Sequence, residues 1–327
     1  MKVYRNLDTI PAFIKAVITI GTFDGVHLGH QQIIKQLLAE SKVTGGETVL
    51  ITFHPHPRKI VQPEKSLMQL TNMDERIELL KQFGINNLVI IPFTKEFSEF
   101  TALQYIEEFL IMKFNPSTII IGYDHKFGNK REGDFRLLEQ YGPQFKYTVK
   151  EIDEELINNA IISSTKIREA LLLGDVAFAN SFLGYNYFFK GIVIEGNKLG
   201  RTIGYPTANL QMEDADKLVP GNGVYAVAAQ LEGETRILKG MMNIGTRPTV
   251  DGSNRMIEVN LFDFDEEIYG RHLKVSLKHH LRSEVKFNGI EELKEQLHKD
   301  KEETIKQLAD VLICKCANKN KYNATNN

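Results

Sequence analysis

The rhythm of apolar runs changes once along this chain of 327 residues, and that change restricts the fold more than any other feature. From Ala16 to about Gly184, short apolar runs alternate with stretches of helical spacing. The strand candidates are 17–20, 49–53, 88–91 and 119–121, apolar along their length as strands covered on both faces are. Between them, Thr71 with Asp74 predicts a helix start before RIELLKQF, and Thr101 with Gln104 predicts a capping box before YIEEFLIMKF. This alternation predicts an α/β domain with a mostly parallel sheet, whose ligands bind beyond the carboxyl ends of the strands. After Tyr185 the β-type runs 187–195, 223–231, 235–242, 257–262 and 273–281 follow one another without helices, with turns at Gly233-Glu234 and Asp251-Gly252. Such a series predicts an antiparallel sheet closed into a barrel. A last amphipathic stretch, 290 to about 313, carries Leu293, Leu297, Ile305 and Leu308 on one stripe and predicts a C-terminal helix. The expected division is 1–184, 185–313 and a structureless tail, 314–327.

Composition removes several classes of partner. A net charge of −2 speaks against nucleic-acid binding, and no apolar stretch reaches the length of a membrane span. The opening MKVYRNLDTIPAF lacks the apolar centre of a secretory leader. Two cysteines, Cys314 and Cys316, supply no disulfide framework, so a cytoplasmic location is expected. At most a weak homo-oligomer is expected.

The segment 20–30, IGTFDGVHLGH, carries the first chemistry. It follows a strand candidate and enters a helix pattern with Ile33, Ile34, Leu37 and Leu38 on one face. Gly21 and Gly25 allow a tight turn close to a ligand. His27 and His30 fall at the helix entry, where free N–H groups and the helix dipole favour a phosphate. The alternative is a metal pair, with Asp24 as third ligand.

Other segments add to this. In FHPHPRKIV, Phe53, Pro55, His56 and Pro57 form a stiff wall able to hold a planar ring, or simply a rigid strand exit. In GYDHKFGNKREGD, Asp124 is suited to a ribose hydroxyl or to orienting a His, while Lys130 and Arg131 read as solvated charges. In ISSTKIREALLLGD, Ser163, Ser164 and Thr165 begin a helix running to Gly174, and Lys166 and Arg168 add positive charge. That segment reads equally as an anion cradle or as an ordinary capped helix. In KGIVIEGNKLGRTIGYPTANL, Gly191, Gly196, Gly200 and Gly204 let the chain wrap around phosphates. Thr207 and Asn209 then share one side of an extended strand, where they suit a hard cation and a phosphate oxygen. Glu258 and Asn260 share a strand face opposite Ile257 and Val259.

GTFDGVHLGH resembles the HxGH signature of nucleotidyltransferases, and in this extended form the bacterial bifunctional riboflavin kinase/FAD synthetases. The resemblance extends from about Val17 to Leu312 through ISSTKIR, PTAN, NIGTRPT, LFDFDEEIYG and LRSEVKF. It implies a Rossmann-like nucleotidyltransferase domain followed by a riboflavin kinase barrel. It further implies that Gly21, Phe23, Asp24, Gly25, His27, His30, Asp124, Ser163, Ser164, Thr165 and Arg168 bind ATP, and that Phe53, Pro55, His56, Pro57 and Phe127 bind the flavin of FMN. In the barrel it implies ATP and Mg²⁺ at the glycines, Thr207 and Asn209, with Thr207 on the metal, a Glu258 base for the ribityl hydroxyl, and Arg282 and Glu284 closing over the flavin. Taken alone, Arg282 and Glu284 read as surface charges. Many family members have His where this chain has Asn260. The implied substrates are riboflavin, FMN and ATP.

Overall fold

Strands of the first half end where a parallel sheet needs them to end. The computed structural model describes residues 1–65, 67–123, 125–152, 162–196, 199–249 and 252–309. Strands β1 (Lys2–Tyr4), β2 (Val17–Ile20), β3 (Thr48–His54), β4 (Asn87–Pro92), β5 (Thr118–Gly122) and β6 (Thr148–Ile152) pair in the order β1-β4-β3-β2-β5-β6, parallel throughout. The four expected strands are the four inner ones. Edge strands β1 and β6 are largely exposed, so no apolar run marks them. One side of the sheet carries the larger apolar cluster, with Ile18, Ile51, Val89, Ile119, Phe109 and Phe127. The other carries Val17, Leu37, Ile120 and Ile152, where helix α1 (Leu28–Thr44) packs through Leu37 and Ile33.

Helix α2 (Met73–Lys81) starts one residue later than expected. Asn72 is its cap, in a reciprocal box with Glu75, and Thr71 is not. The Thr101–Gln104 box forms as expected. The helical run that follows is wound as a π-helix over Tyr105–Ile111, which turns Tyr105, Ile106, Phe109 and Leu110 inward. Helix α3 (Phe135–Phe145) leads into β6.

In the second half, β7 (Phe188–Ile194), β8 (Ala208–Gln211), β9 (Gly223–Leu231), β10 (Leu238–Thr249), β11 (Gly252–Leu261) and β12 (His272–Arg282) close into a barrel in the order β10-β11-β8-β7-β12-β9. All its pairs are antiparallel. The run expected over 235–242 begins later and continues to Thr249. Asp251 and the tail 314–327 lie outside the described residues.

The chain divides into two compact units, Met1–Ser164 and Thr165–Asn327. Helix α4 (Ser164–Leu172), which stops short of Gly174, and α5 (Val176–Leu183) therefore accompany the barrel, almost entirely within the second unit. Asn180 of α5 accepts from the Tyr187 N–H at 2.7 Å and donates to the Leu277 carbonyl at 3.1 Å. The Gly221 N–H reaches the Leu171 carbonyl at 2.9 Å.

The C-terminal helix α6 (Ile290–Gln307) corrects one expectation. Ile305 is 45% exposed, and the buried stripe runs through Asp300 and Thr304 to Leu308. Asp300 belongs inside because Arg282 grips both its oxygens, at 2.9, 3.1 and 2.8 Å.

A fragment beginning at Thr165 should therefore be more stable than one beginning at Tyr185. The shorter fragment loses the Asn180 bonds, worth about 0.5–1.5 kcal/mol each, and the burial of Val176 and Leu183, worth roughly 1.5–3 kcal/mol each. Denaturant unfolding of the two fragments measures the difference. Equal midpoints would show that α4 and α5 do not support the barrel.

Candidate active sites

β2 lies between β3 and β5 in a parallel sheet, so the loops after these three strands leave the same sheet edge. The loop after β2 is held in a costly shape. Phe23 and Val26 adopt left-handed φ values of 49° and 39° beside Gly25 at 80°, conformations that bulky residues rarely hold. Asp24 holds them there. Its carboxylate accepts from the Leu70 N–H at 3.1 Å and the Thr71 N–H at 3.0 Å, and lies 3.6 Å from the Arg76 guanidinium. Both side chains are 1% exposed. Thr71 closes the loop by accepting from the Gly25 N–H at 3.0 Å. Asp24, expected at the nucleotide, thus has its carboxylate turned into the fold, engaged with Leu70, Thr71 and Arg76. Arg76 was not singled out from the sequence, and Thr71 only as a helix start. The one available signal was a charge on the Leu79–Leu80 face of α2.

His27 caps α1, its Nδ1 accepting from the His30 N–H at 3.3 Å. The two imidazoles stack at 3.7 Å, and His30 also lies 4.9 Å from the ring of Phe23. His30 Nδ1 is buried without a hydrogen-bond partner. Burial, then the neighbouring His27, then Arg76 hold the His30 pKa well below the usual imidazole range. A neutral imidazole whose ring nitrogen awaits a partner is suited to hydrogen-bond an incoming anion. Among the described residues no group of three His, Cys, Asp or Glu side chains is placed to hold a metal ion. The Ser164 hydroxyl donates to the Asp24 carbonyl at 3.1 Å, so the start of α4 is tied to this loop. Ser163 precedes it, while Thr165 and Arg168 continue the helix in the second unit.

Near the end of β3, Phe53 is mostly buried against Phe93 and Phe97. The His54–Pro55 peptide is cis, and His56 is buried as cap of the short helix Pro57–Val61, its Nδ1 accepting from the Arg58 N–H. Beyond β5, Phe127 is core, stacked on Tyr105 at 4.9 Å, so its ring faces protein. Asp124 lies outside the described residues. His125, which the sequence left unassigned, has its Nε2 buried without a partner, and burial with Arg131 nearby lowers its pKa to about 4.

In the barrel, register assembles the second site. Glu258 of β11 stands directly opposite Asn209 of β8 on one side and Asn243 of β10 on the other. Ile257 and Val259 are buried, as the alternation requires. The Asn209 Oδ1 is buried without a partner. Gly196 belongs beside it, since a Cβ there would lie 1.9 Å from Asn209 Nδ2. Gly191 is different: it sits within β7, close against the Gln211 carbonyl, and serves the sheet rather than a phosphate loop. Gly200 and Gly204 shape the turn that ends at Tyr205. Asn260 donates to the Pro206 carbonyl at 2.7 Å, fixing the strand that carries Thr207 and Asn209. A cavity of about 330 Å³ opens here, its polar lining including Thr207, Asn243, Glu258, Asn260, Arg282 and Glu284. Arg282 is held by Asp300, and Glu284 accepts from Asn222 at 3.1 Å, so neither is a loose surface charge.

Comparison with known proteins now decides the family. The FAD synthetase family model matches residues 10–166 and the riboflavin kinase family model matches 183–308. The chain belongs to the bifunctional riboflavin kinase/FMN adenylyltransferase family. The Bacillus subtilis protein of that name is 39% identical over 306 residues, covering 91% of this chain and 94% of its own. The Escherichia coli K12 protein is 36% identical over 302 residues, covering 92% and 96%. A crystal structure of a protein named macrolide-efflux protein, from Streptococcus pneumoniae, superposes with a TM-score of 0.84 at 31% identity, covering 93% of this chain and 99% of that one. Among the described residues no helix of this family member is long and apolar enough to cross a membrane.

His30 should remain neutral through the physiological range. Its folded pKa lies below the ordinary 6.5, so the unfolded chain binds the proton more readily. Its contribution to stability is present above about pH 6.5 and is lost as pH falls from there towards the folded pKa. Imidazole ¹⁵N NMR of the ligand-free protein should show no His30 titration between about pH 8 and 6. A midpoint at or above 6.5 would overturn this reading.

Proposed function

We propose that each half carries out one step of flavin cofactor synthesis. In residues 185–313, the riboflavin 5′-hydroxyl oxygen attacks the γ-phosphorus of ATP, the bond to ADP breaks, and the hydroxyl proton passes to Glu258, giving FMN. In residues 1–184, a phosphate oxygen of FMN attacks the α-phosphorus of a second ATP, giving FAD and pyrophosphate. The observation that carries this is the tiling of two family models, one over each half. The geometry supports it, since each half has its own set of polar groups suited to phosphates.

The two sites call for different help. A phosphate nucleophile is already ionised at neutral pH, so adenylyl transfer rests on positioning and on neutralising charge. His27 and His30 at the start of α1 are proposed to hydrogen-bond the phosphates, with Ser163 and Ser164 beside the same loop. Asp24 acts as a positioning residue through the loop. A primary alcohol gains from a base, and Glu258 in the barrel cavity is proposed for that role. Thr207 and Asn209 fit Mg²⁺, because hard cations take oxygen donors and the Asn209 Oδ1 is buried without a partner. When bound, the ion would neutralise phosphate charge there. Phe53, Pro55, His56 and Pro57 are proposed for the flavin of FMN. A cytoplasmic location and at most weak self-association belong to the same reading.

Glu258→Gln preserves shape and removes basicity. FMN formation should fall by roughly 10²–10⁴-fold, while FAD formation from supplied FMN stays nearly unchanged. His30→Ala should do the reverse, lowering FAD formation by about 10²-fold or more and sparing riboflavin phosphorylation. Separation of flavins after incubation with ATP and Mg²⁺ measures both rates on one preparation. A Glu258→Gln protein with full kinase activity would remove the base.

A further inference from the structure

The strand that leads from Thr207 into the barrel is joined to β11 by the shortest seam of the sheet. Two residue pairs, Glu258 with Asn209 and Val259 with Ala208, link β11 to β8, whereas ten link β11 to β10 among the described residues. So short a ladder opens readily at its end. The next pair along would set Asn260 opposite Thr207, but the ladder stops there, and Pro206 has no N–H to offer a further rung. The Asn260 side chain supplies one instead. Its amide donates to the Pro206 carbonyl at 2.7 Å, and Asn260 is 6% exposed. The segment ahead of Pro206 is folded onto itself. The Tyr205 N–H reaches the Gly200 carbonyl at 2.8 Å, and Gly204 is left-handed at φ 84°. A Cβ on Gly200 would lie 2.2 Å from the Tyr205 carbonyl oxygen and 3.6 Å from the Thr207 methyl carbon, so this turn and Thr207 are packed as one piece. Gly200, Ile203, Tyr205 and Thr207 line the barrel cavity together with Glu258 and Asn260. The amide bond of Asn260 therefore ties the piece that carries Thr207 to the strand that carries Glu258.

We infer that Asn260 is a positioning residue for phosphoryl transfer: by clasping Pro206 it sets Thr207 and Asn209, the groups proposed for ATP and its cation, at a fixed place relative to Glu258. Glu258 and Asn260 stand two residues apart on one strand and share its face, so a single rigid element carries both the proposed base and the clasp. Without the clasp, the Pro206 end of β8 has to be ordered each time ATP binds, and ordering of a chain segment is subtracted from affinity. The hydroxyl side does not bear this cost, because β11 is held by its long ladder with β10. An amide does not titrate, so the clasp works alike across the physiological pH range.

This rests on the kinase reading, and the test separates the two. Asn260→Leu keeps a side chain of similar size and removes the donor. In steady-state assays of FMN formation it should raise the KM for ATP about three- to ten-fold, the range for one lost neutral hydrogen bond. The KM for riboflavin should be unchanged, and so should FAD formation from supplied FMN. Asn260→His brings a ring N–H close to the place of the lost amide and should restore most of the affinity for ATP. An unchanged KM for ATP in Asn260→Leu overturns the proposal. So does an equal rise in both KM values, which marks a general distortion of the cavity, and so does an Asn260→His protein no better than Asn260→Leu. In ligand-free wild-type protein, ¹⁵N NMR should show the Asn260 side-chain amide protected from exchange with solvent. Free exchange of that amide overturns the proposal even if the variants fail to fold or wild type makes no FMN; failure of wild type to make FMN overturns the kinase reading itself.

Discussion

The first candidate site depends on a buried ion pair turned into the fold. Asp24 and Arg76 are both almost fully enclosed, 3.6 Å apart. Two charges are taken out of water only at a considerable desolvation cost, which the pair offsets through additional bonds to Leu70, Thr71 and Gln69. What results is conformational. The loop between β2 and α1 is forced into left-handed turns at Phe23 and Val26, so that His27 arrives at the cap of the helix with its ring against His30. Removing either charge would leave the other buried and unpaired, which typically costs about 3–5 kcal/mol. The same charge, Arg76, also contributes to keeping His30 neutral.

The barrel reaches its site by register instead. No strained loop is needed to set Glu258 beside Asn209 and Asn243, because antiparallel pairing places opposite residues on one face. A slip of one residue would turn Glu258 inward and Val259 outward. Burial of Ile257 and Val259 therefore fixes the face that Glu258 presents. The Arg282–Asp300 pair does for the rim of the cavity what Asp24–Arg76 does for the loop, joining the end of β12 to α6.

How much of this was legible in the sequence follows from the physics of each part. Inner strands were visible because both faces are covered, and edge strands β1 and β6 were not, because water replaces one neighbour. The stripe of α6 was misplaced at Ile305, since a buried Asp300 looks polar until its partner Arg282, far along the chain, is known. Glycine spacing suggested one phosphate loop from Gly191 to Gly204, whereas Gly191 turned out to be a sheet residue and Gly196 packs on Asn209. His27, His30, Thr207 and Glu258 could be singled out because their motifs are local. Arg76, Asn243 and Asp300 were not, because their roles exist only through pairing across the fold.

The two sites share one further property. Each leaves buried polar atoms unmatched in the ligand-free protein: His30 Nδ1 and His125 Nε2 at the sheet edge, Asn209 Oδ1 in the barrel. An unsatisfied buried atom costs about 1–3 kcal/mol, and folded proteins keep few of them. All three belong to segments that leave a strand or lie beside a catalytic candidate. A ligand that supplied the missing partner would remove the cost, and part of its interaction energy would then be the relief of a penalty already present in the fold. This accounts for why both sites need rigid surroundings.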